Sequence, residues 1–153
     1  MMTGDAMPGG RRWFFALVAA TVACGGCGSD MPFDLVPVSG KVTYEDGSLI
    51  AADRILLTFN PAAAPTGPMT APGGTAQVNV ADGTFAAVTT RRTNDGIVPG
   101  RYRVAVVPFG KDAKGNPRPT AAVDAKYQKE STTPLEIEVD SADQFIEIKV
   151  SKP

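Results

Sequence analysis

Histidine is absent from this chain of 153 residues. An imidazole is the side chain whose ordinary pKa falls between pH 5 and 8, and it is the commonest metal ligand in proteins. Its absence excludes a histidine general base, a Ser-His-Asp triad and any histidine-ligated zinc site. The composition therefore argues against most hydrolase and metalloenzyme activities. We predict a protein that is not an enzyme and that holds no cofactor or metal.

Cysteine is nearly absent as well. The two cysteines, Cys24 and Cys27, both stand in a Gly-rich stretch near the N-terminus, and the rest of the chain has none. A folded domain without cysteine cannot build a thiolate metal cage. A disulfide between Cys24 and Cys27 would close a very short loop, so it would stabilise the fold little.

Long apolar runs are missing too. The N-terminal apolar segment, residues 13–23, spans 11 residues, whereas a helix needs about 20 to cross bilayer hydrocarbon. It follows Arg11 and Arg12 and ends at the small residue Ala23, which is the order of parts in a secretory signal peptide. We therefore predict an exported protein whose signal peptide covers residues 1–23.

Residues 21–24, Thr-Val-Ala-Cys, resemble a lipobox, the site at which signal peptidase II cuts before an acylated cysteine. Thr21 stands where that motif usually has leucine. We predict lipidation at Cys24, with Cys27, which also follows small residues, as the alternative site. An ordinary cleaved signal peptide that leaves two spare cysteines is the competing interpretation. Acylation would make this a membrane-anchored lipoprotein of the cell envelope, on its periplasmic or surface side.

Neither sign of charge dominates the chain. It has 15 basic and 16 acidic residues, and removing Asp5, Arg11 and Arg12 with the signal peptide leaves 13 and 15. No basic stripe suited to phosphates is visible, so nucleic acid is not an expected partner. After a flexible Gly/Ser tether over residues 24–34, residues 35–153 fit one domain.

Within that domain apolar residues alternate with polar ones, which indicates strands with one buried face. The alternating positions are Val36, Val38, Val42 and Tyr44; Ile55, Leu57 and Phe59; Ala76, Val78 and Val80; Tyr102, Val104 and Val106; Leu135, Ile137 and Val139; and Ile146, Ile148 and Val150. Residues 84–88, which follow the turn at Asp82-Gly83, are a further predicted strand. About seven such strands predict an all-β, antiparallel Greek-key β-sandwich. Gly40 in mid-strand predicts a bulge or a close backbone approach, and Asp82-Gly83 predicts a hairpin turn.

Four segments in order resemble carboxypeptidase regulatory-like domains, which have a transthyretin-like (prealbumin-like) sandwich. They are residues 38–47 (VSGKVTYEDG), residues 82–85 (DGTF), residues 96–104 (GIVPGRYRV), and residues 123–127 (VDAKY) with the later Thr133-Pro134-Leu135. The last segment is similar to a bacterial lipoprotein branch of the family, although Asp124 stands where proline is usual. The resemblance covers roughly residues 35–151. It implies no peptidase activity, because in carboxypeptidases this module lies beside a separate catalytic domain.

Two charged groups are candidate binding sites. Arg91, Arg92, Arg101 and Arg103 could bind an anion or a polysaccharide, or they could simply be a solvated sheet face. Glu136, Glu138, Asp140 and Asp143 could collect Ca²⁺, or they could protect a strand edge from pairing with other chains. Phe109 and Tyr127, predicted to lie in loops over residues 109–133, are candidates for stacking on sugars.

We therefore predict a non-enzymatic, lipid-anchored envelope protein with a structural or adhesion role. Its membrane contact would be the N-terminal lipid. One alternative is a module that binds carbohydrate, such as cell-wall glycan, or another small ligand through loops 61–74 and 109–133. The other is an accessory subunit that docks on an envelope protein through an exposed sheet edge.

Overall fold

A computed structural model describes residues 33–62, 70–140 and 142–153. Eight strands follow one another in these segments, with one 3₁₀ helix between the sixth and the seventh. They are β1 (Val38–Tyr44), β2 (Arg54–Pro61), β3 (Gly74–Val78), β4 (Thr84–Phe85), β5 (Gly100–Lys111), β6 (Pro117–Pro119), the 3₁₀ helix (Ala125–Gln128), β7 (Glu136–Val139) and β8 (Gln144–Val150). The predicted signal peptide and both cysteines lie outside the described residues.

The strands form two packed sheets, which confirms the predicted all-β sandwich. One sheet has the order β4-β1-β8, and the other has the order β3-β2-β5-β6 with β7 also paired to β5. The alternating apolar side chains of both sheets point inward and form one buried cluster. The ring centre of Phe59 lies 6.3 Å from that of Phe85 in the opposite sheet and 6.4 Å from that of Tyr102 in its own sheet. The contact between Phe59 and Phe85 thus joins the two sheets.

One strand pair departs from the antiparallel prediction. β1 and β8 run parallel, in unbroken register from Val38 opposite Gln144 to Tyr44 opposite Val150. Both strands therefore start at the same end of the sandwich, which we call the entry end, where Val36 bridges Ile97. Both finish at the opposite end, which we call the exit end. The first and last strands of the domain are thus neighbours, although the sequence separates them by most of its length.

The predicted hairpin at Asp82-Gly83 is present, but its second strand, β4, also joins the other sheet. The turn is present, since the Gly83 N–H donates to the Asn79 carbonyl at 2.8 Å. However, β4 pairs with β1, through Gly40 opposite Phe85 and Lys41 opposite Thr84. The chain after the turn also runs back antiparallel to the β3 segment, because the Asn79 N–H donates to the Thr84 carbonyl at 2.7 Å and Thr75 bridges Thr89. The turn therefore closes a hairpin and also carries the chain from one sheet to the other.

In the first part of the predicted loop 109–133, residues 109–120, half of the residues lie in two paired strand ends with a turn between them. β5 continues to Lys111, and β6 returns beside it with Phe109 opposite Pro119 and Lys111 opposite Pro117. The following segment, residues 120–128, closes the exit end. There the Tyr44 hydroxyl donates to the Ala122 carbonyl at 2.5 Å, and the Asp124 N–H donates to the Ser151 carbonyl at 3.3 Å.

Gly40 and Tyr102 confirm two local predictions. A Cβ at Gly40 would lie 2.1 Å from the Ile146 carbonyl oxygen and 2.7 Å from the Phe85 ring, so the glycine marks a close backbone approach and not a bulge. Tyr102 is 1% exposed, its hydroxyl donates to the Val98 carbonyl at 2.7 Å, and burial raises its pKa. This bond to a carbonyl four residues upstream is a tyrosine corner.

In the part of the chain that the structure describes, no helix is long and apolar enough to cross a membrane.

Candidate functional site

The two predicted charged groups meet on one sheet face. β5 and β7 are antiparallel neighbours that place Arg101 opposite Glu138 and Arg103 opposite Glu136. The Arg101 guanidinium lies 4.0 Å from the Glu138 carboxylate, and the Arg103 guanidinium lies 3.5 Å from that of Glu136. Each cation thus has a carboxylate beside it, and about half or more of every one of these side chains is exposed.

This pairing changes the interpretation of both groups. Arg101 and Arg103 lie beside carboxylates, so an anion would find no isolated positive patch on this face. Glu136 and Glu138 lie beside guanidinium groups, which compete with any cation. Across residues 33–62, 70–140 and 142–153 no three acidic or cysteine side chains converge closely enough to hold a metal ion.

Arg91 and Arg92 lie in a separate turn, which Asp95 organises. The Asp95 carboxylate accepts backbone N–H donors from Thr90 at 2.7 Å, Arg91 at 3.0 Å and Arg92 at 2.8 Å. Burial alone would raise the pKa of Asp95, but these three donors together lower it below its ordinary value. The carboxylate therefore acts as a fixed acceptor that holds the turn in shape.

Other aspartates do the same in other turns. Asp82 accepts from the N–H and hydroxyl of Thr84, Asp112 from the N–H groups of Lys114 and Asn116, and Asp124 from the N–H of Lys126 at the start of the 3₁₀ helix. In each case these backbone N–H groups are the leading reason that the pKa of the aspartate is lowered. Hydrogen bonds to an ionised carboxylate favour the charged form, whereas a general acid needs its pKa raised.

At the exit end, Asp46 forms an ion pair with the C-terminal segment. The Lys152 ammonium lies 2.6 Å from an Asp46 carboxylate oxygen and 5.1 Å from the centre of the Tyr44 ring. The hydrogen bond from Lys152, followed by those from Ser48, lowers the pKa of Asp46. The carboxylate thus ties the end of the chain to the turn after β1.

The two aromatic candidates are not free loop residues. Tyr127 is buried, with 6% of its surface exposed, and belongs to the core cluster. Phe109 lies on β5 beneath the Arg54 guanidinium, whose central carbon is 4.6 Å from the ring centre. The prediction that both rings stand in exposed loops is therefore wrong.

The outer edge of β8 is a feature that the sequence did not single out. Among the strands that the structure describes, β1 alone pairs with β8. The Gln144 N–H donates to Pro37, and the Val150 carbonyl accepts from Glu45. Because alternate residues of a strand bond to the same neighbour, the even-numbered residues of β8 face β1. The odd-numbered ones turn their N–H and C=O groups to the outer edge.

The odd-numbered residues of β8 also carry its exposed side chains, Phe145, Glu147 and Lys149. Phe145 is 62% exposed, and among the described large apolar residues Leu49 at 40% is the next most exposed. It lies at the entry end beside a shallow cleft that Pro37, Ser39 and Ala86 also line. The outer edge thus combines backbone hydrogen-bonding groups with one apolar and two oppositely charged side chains.

No protein-family model, no curated protein and no solved structure matches this chain.

Proposed function

We propose that this protein is a non-enzymatic, lipid-anchored protein of the cell envelope, in which the β-sandwich has a structural or adhesion role. The observation that carries this proposal is the use of its aspartates. Among the residues that the structure describes, five aspartates have a shifted pKa; in each it is lowered, and each holds a turn or the C-terminal segment in place. Groups used in this way support a rigid module better than they support acid–base chemistry.

The anchor is supported by the N-terminal sequence. Arg11 and Arg12, the apolar residues 13–23 and then Cys24 give the order expected of a lipoprotein signal. A bacterial lipoprotein cysteine carries more than one acyl chain, which suffices for stable membrane binding. We further propose that the sandwich is a Greek-key, transthyretin-like member of the carboxypeptidase regulatory-like domains, on the resemblance of the four segments described above.

Membrane fractionation tests the anchor. The wild-type protein should sediment with membranes, and the mature N-terminus should carry acyl mass in mass spectrometry. Cys24→Ala should release the protein into the soluble fraction, whereas Cys27→Ala serves as the matched control and should not. The reverse pattern would assign the lipid to Cys27, and an unmodified cysteine in the wild type would refute the lipid anchor.

The outer edge of β8 favours a second function, that of an accessory subunit docked on an envelope partner. A strand with unpaired N–H and C=O groups can accept another strand, and peptide-binding domains commonly use this mode. Crosslinking in envelope fractions through a photoreactive residue at position 147 should capture a partner in fixed stoichiometry. The same residue placed at exposed Glu138, on the opposite sheet, is the control and should not.

A further inference from the structure

We propose that the outer edge of β8 binds an extended peptide segment of a partner protein, and that this segment carries an acidic, a basic and an apolar side chain at alternate positions, in that order from its N-terminus. The inference rests on the docking function proposed above and not on the lipid anchor. It specifies the chemistry of the partner, which the docking function alone leaves open.

The backbone of β8 supplies the first part of the argument. Its register with β1 is continuous over the whole strand, so no bulge distorts the outer edge. No proline interrupts it, and the N–H and C=O groups of Phe145, Glu147 and Lys149 point outward. Together they form a row of alternating donors and acceptors, which an antiparallel strand would match with its own backbone.

The side chains supply the order of the partner residues. In antiparallel pairing, the partner strand runs past Lys149 first, then Glu147 and finally Phe145. Directly opposite residues interact favourably when their charges are opposite or when both are apolar. The complementary partner residues are therefore acidic, basic and apolar in that order, and the apolar residue would cover the exposed face of Phe145.

A second copy of this chain fits the edge less well. If two β8 strands overlapped over the whole outer edge, Glu147 would face Glu147 of the second copy, and like charges in direct opposition destabilise a sheet. A shift by two residues would pair Glu147 with Lys149, but it would bring Phe145 of the second copy opposite Ser151. There the Asp124 N–H already bonds the Ser151 carbonyl, so the segment over the exit end obstructs this register.

Charged residues on an edge strand can also serve only to prevent pairing. Protection of that kind usually relies on lysine, proline, a bulge or an inward-pointing charge. Lys149 is one such lysine, but β8 has no proline and no bulge, its two exposed charges are of opposite sign, and they accompany an exposed phenylalanine. This combination suits an edge that binds a particular strand better than an edge that only prevents pairing.

The test uses the full-length chain in mild detergent and a fluorescent, blocked heptapeptide. The peptide carries glutamate, lysine and phenylalanine at its second, fourth and sixth positions and threonine elsewhere. Fluorescence anisotropy should show saturable binding to the wild-type protein. Exchanging the glutamate and the lysine of the peptide should weaken binding about tenfold, because two opposite-charge pairs become like-charge pairs.

Two protein variants make the test specific. Glu147→Pro removes an N–H that faces the outer edge and leaves the bonds to β1 intact, so it should abolish binding while the protein stays folded. Glu147→Thr, the control, keeps that N–H and should weaken binding only slightly. The double variant Glu147→Lys/Lys149→Glu should invert the preference between the two peptides, which a mere loss of folding could not do.

Three results would overturn the proposal. The first is the absence of binding to folded wild-type protein. The second is equal binding of both peptides that is lost in Glu147→Pro, which would support edge docking while refuting the partner chemistry. The third is dimerisation of the protein without peptide, seen by analytical ultracentrifugation and lost in Glu147→Pro, which would assign the edge to a second copy.

Discussion

Gly40 is a position at which the sandwich has no room for a side chain. We expect Gly40→Ala to lower the free energy of unfolding by about 3 kcal/mol, because the added methyl group would meet the Ile146 carbonyl and the Phe85 ring. Urea unfolding at equilibrium measures this loss. Ser39→Ala on the same strand is the control and should cost much less. Equal losses in the two variants would contradict a contact specific to position 40.

Asp95 should make the stability of the domain depend on acid. Its three backbone donors hold its pKa in the folded protein below the unfolded value of about 3.9. A lowered pKa contributes stability that is complete above the unfolded value and is lost as the pH falls through the folded value. Stability should therefore decrease below about pH 4.

Asp95→Asn isolates this contribution. The amide cannot ionise and offers one acceptor oxygen where the carboxylate offers two, so the variant should be less stable at pH 7 and should lose less stability on acidification. Thermal unfolding between pH 7 and pH 2 measures both. Asp143→Asn is the control, since within the described residues the Asp143 carboxylate accepts no hydrogen bond. Parallel pH profiles for wild type and Asp95→Asn would refute the assignment.

At the level of elements, the facing charges of β5 and β7 are expected to hold strand register more than to add stability. A double-mutant cycle on Arg103→Ala and Glu136→Ala should give a coupling of about 0.5 kcal/mol, because both side chains are roughly half exposed and solvent screens the pair. The coupling should shrink in 1 M salt. A coupling of several kcal/mol would mean that the pair is far less exposed in solution.

Strand positions could be predicted from the sequence because burial has a period of two along a strand. The alternation at Ile55, Leu57 and Phe59, for example, corresponds to the buried face of β2. The order of the strands could not be predicted in the same way. Nothing in the alternation of β1 says that its neighbours are β4 and a parallel β8, because that choice depends on contacts between residues distant in sequence.

The extension of β5 shows why some boundaries were missed. Pro108 and Gly110 are typical of loops, yet both lie within the strand. The Pro108 carbonyl accepts from Thr120, on the side facing away from β2. Proline has no N–H, and at position 108 an N–H would point to that same side, so no hydrogen bond to β2 is lost. The outer edge of β8 was missed for a related reason, since a sequence such as Phe-Ile-Glu-Ile-Lys does not show whether its strand lies at the edge or in the middle of a sheet.

At the scale of the whole molecule, the parallel pairing of β1 and β8 determines where the two ends of the domain lie. The chain enters β1 beside Ile97 at the entry end and leaves β8 at the exit end, where Ser151 and Lys152 are bound. The two ends are therefore separated by the length of a seven-residue strand, about 20 Å at the usual rise per residue.

This arrangement has a mechanical consequence. A force that pulls the C-terminus away from the residues before β1 acts along both strands in opposite directions, so it shears their hydrogen bonds together. A force applied at Glu45 and the C-terminus acts on the same end of both strands, so it peels those bonds apart one after another. Breaking these hydrogen bonds together requires crossing a higher barrier than breaking them one at a time, and forced unfolding depends on that barrier. Shearing should therefore need a clearly larger force than peeling.

Single-molecule pulling compares the two geometries in one protein. Cys24 and Cys27 are replaced by serine, and a single attachment cysteine is introduced by Asp34→Cys or by Glu45→Cys, with the other handle at the C-terminus. Equal rupture forces would contradict the role of the β1–β8 ladder. If the domain is anchored to a membrane through the residues before β1 and bound by a partner beyond β8, tension would load the β1–β8 hydrogen bonds in shear. That is the geometry in which this strand pair should resist force best, and it suits a load-bearing link.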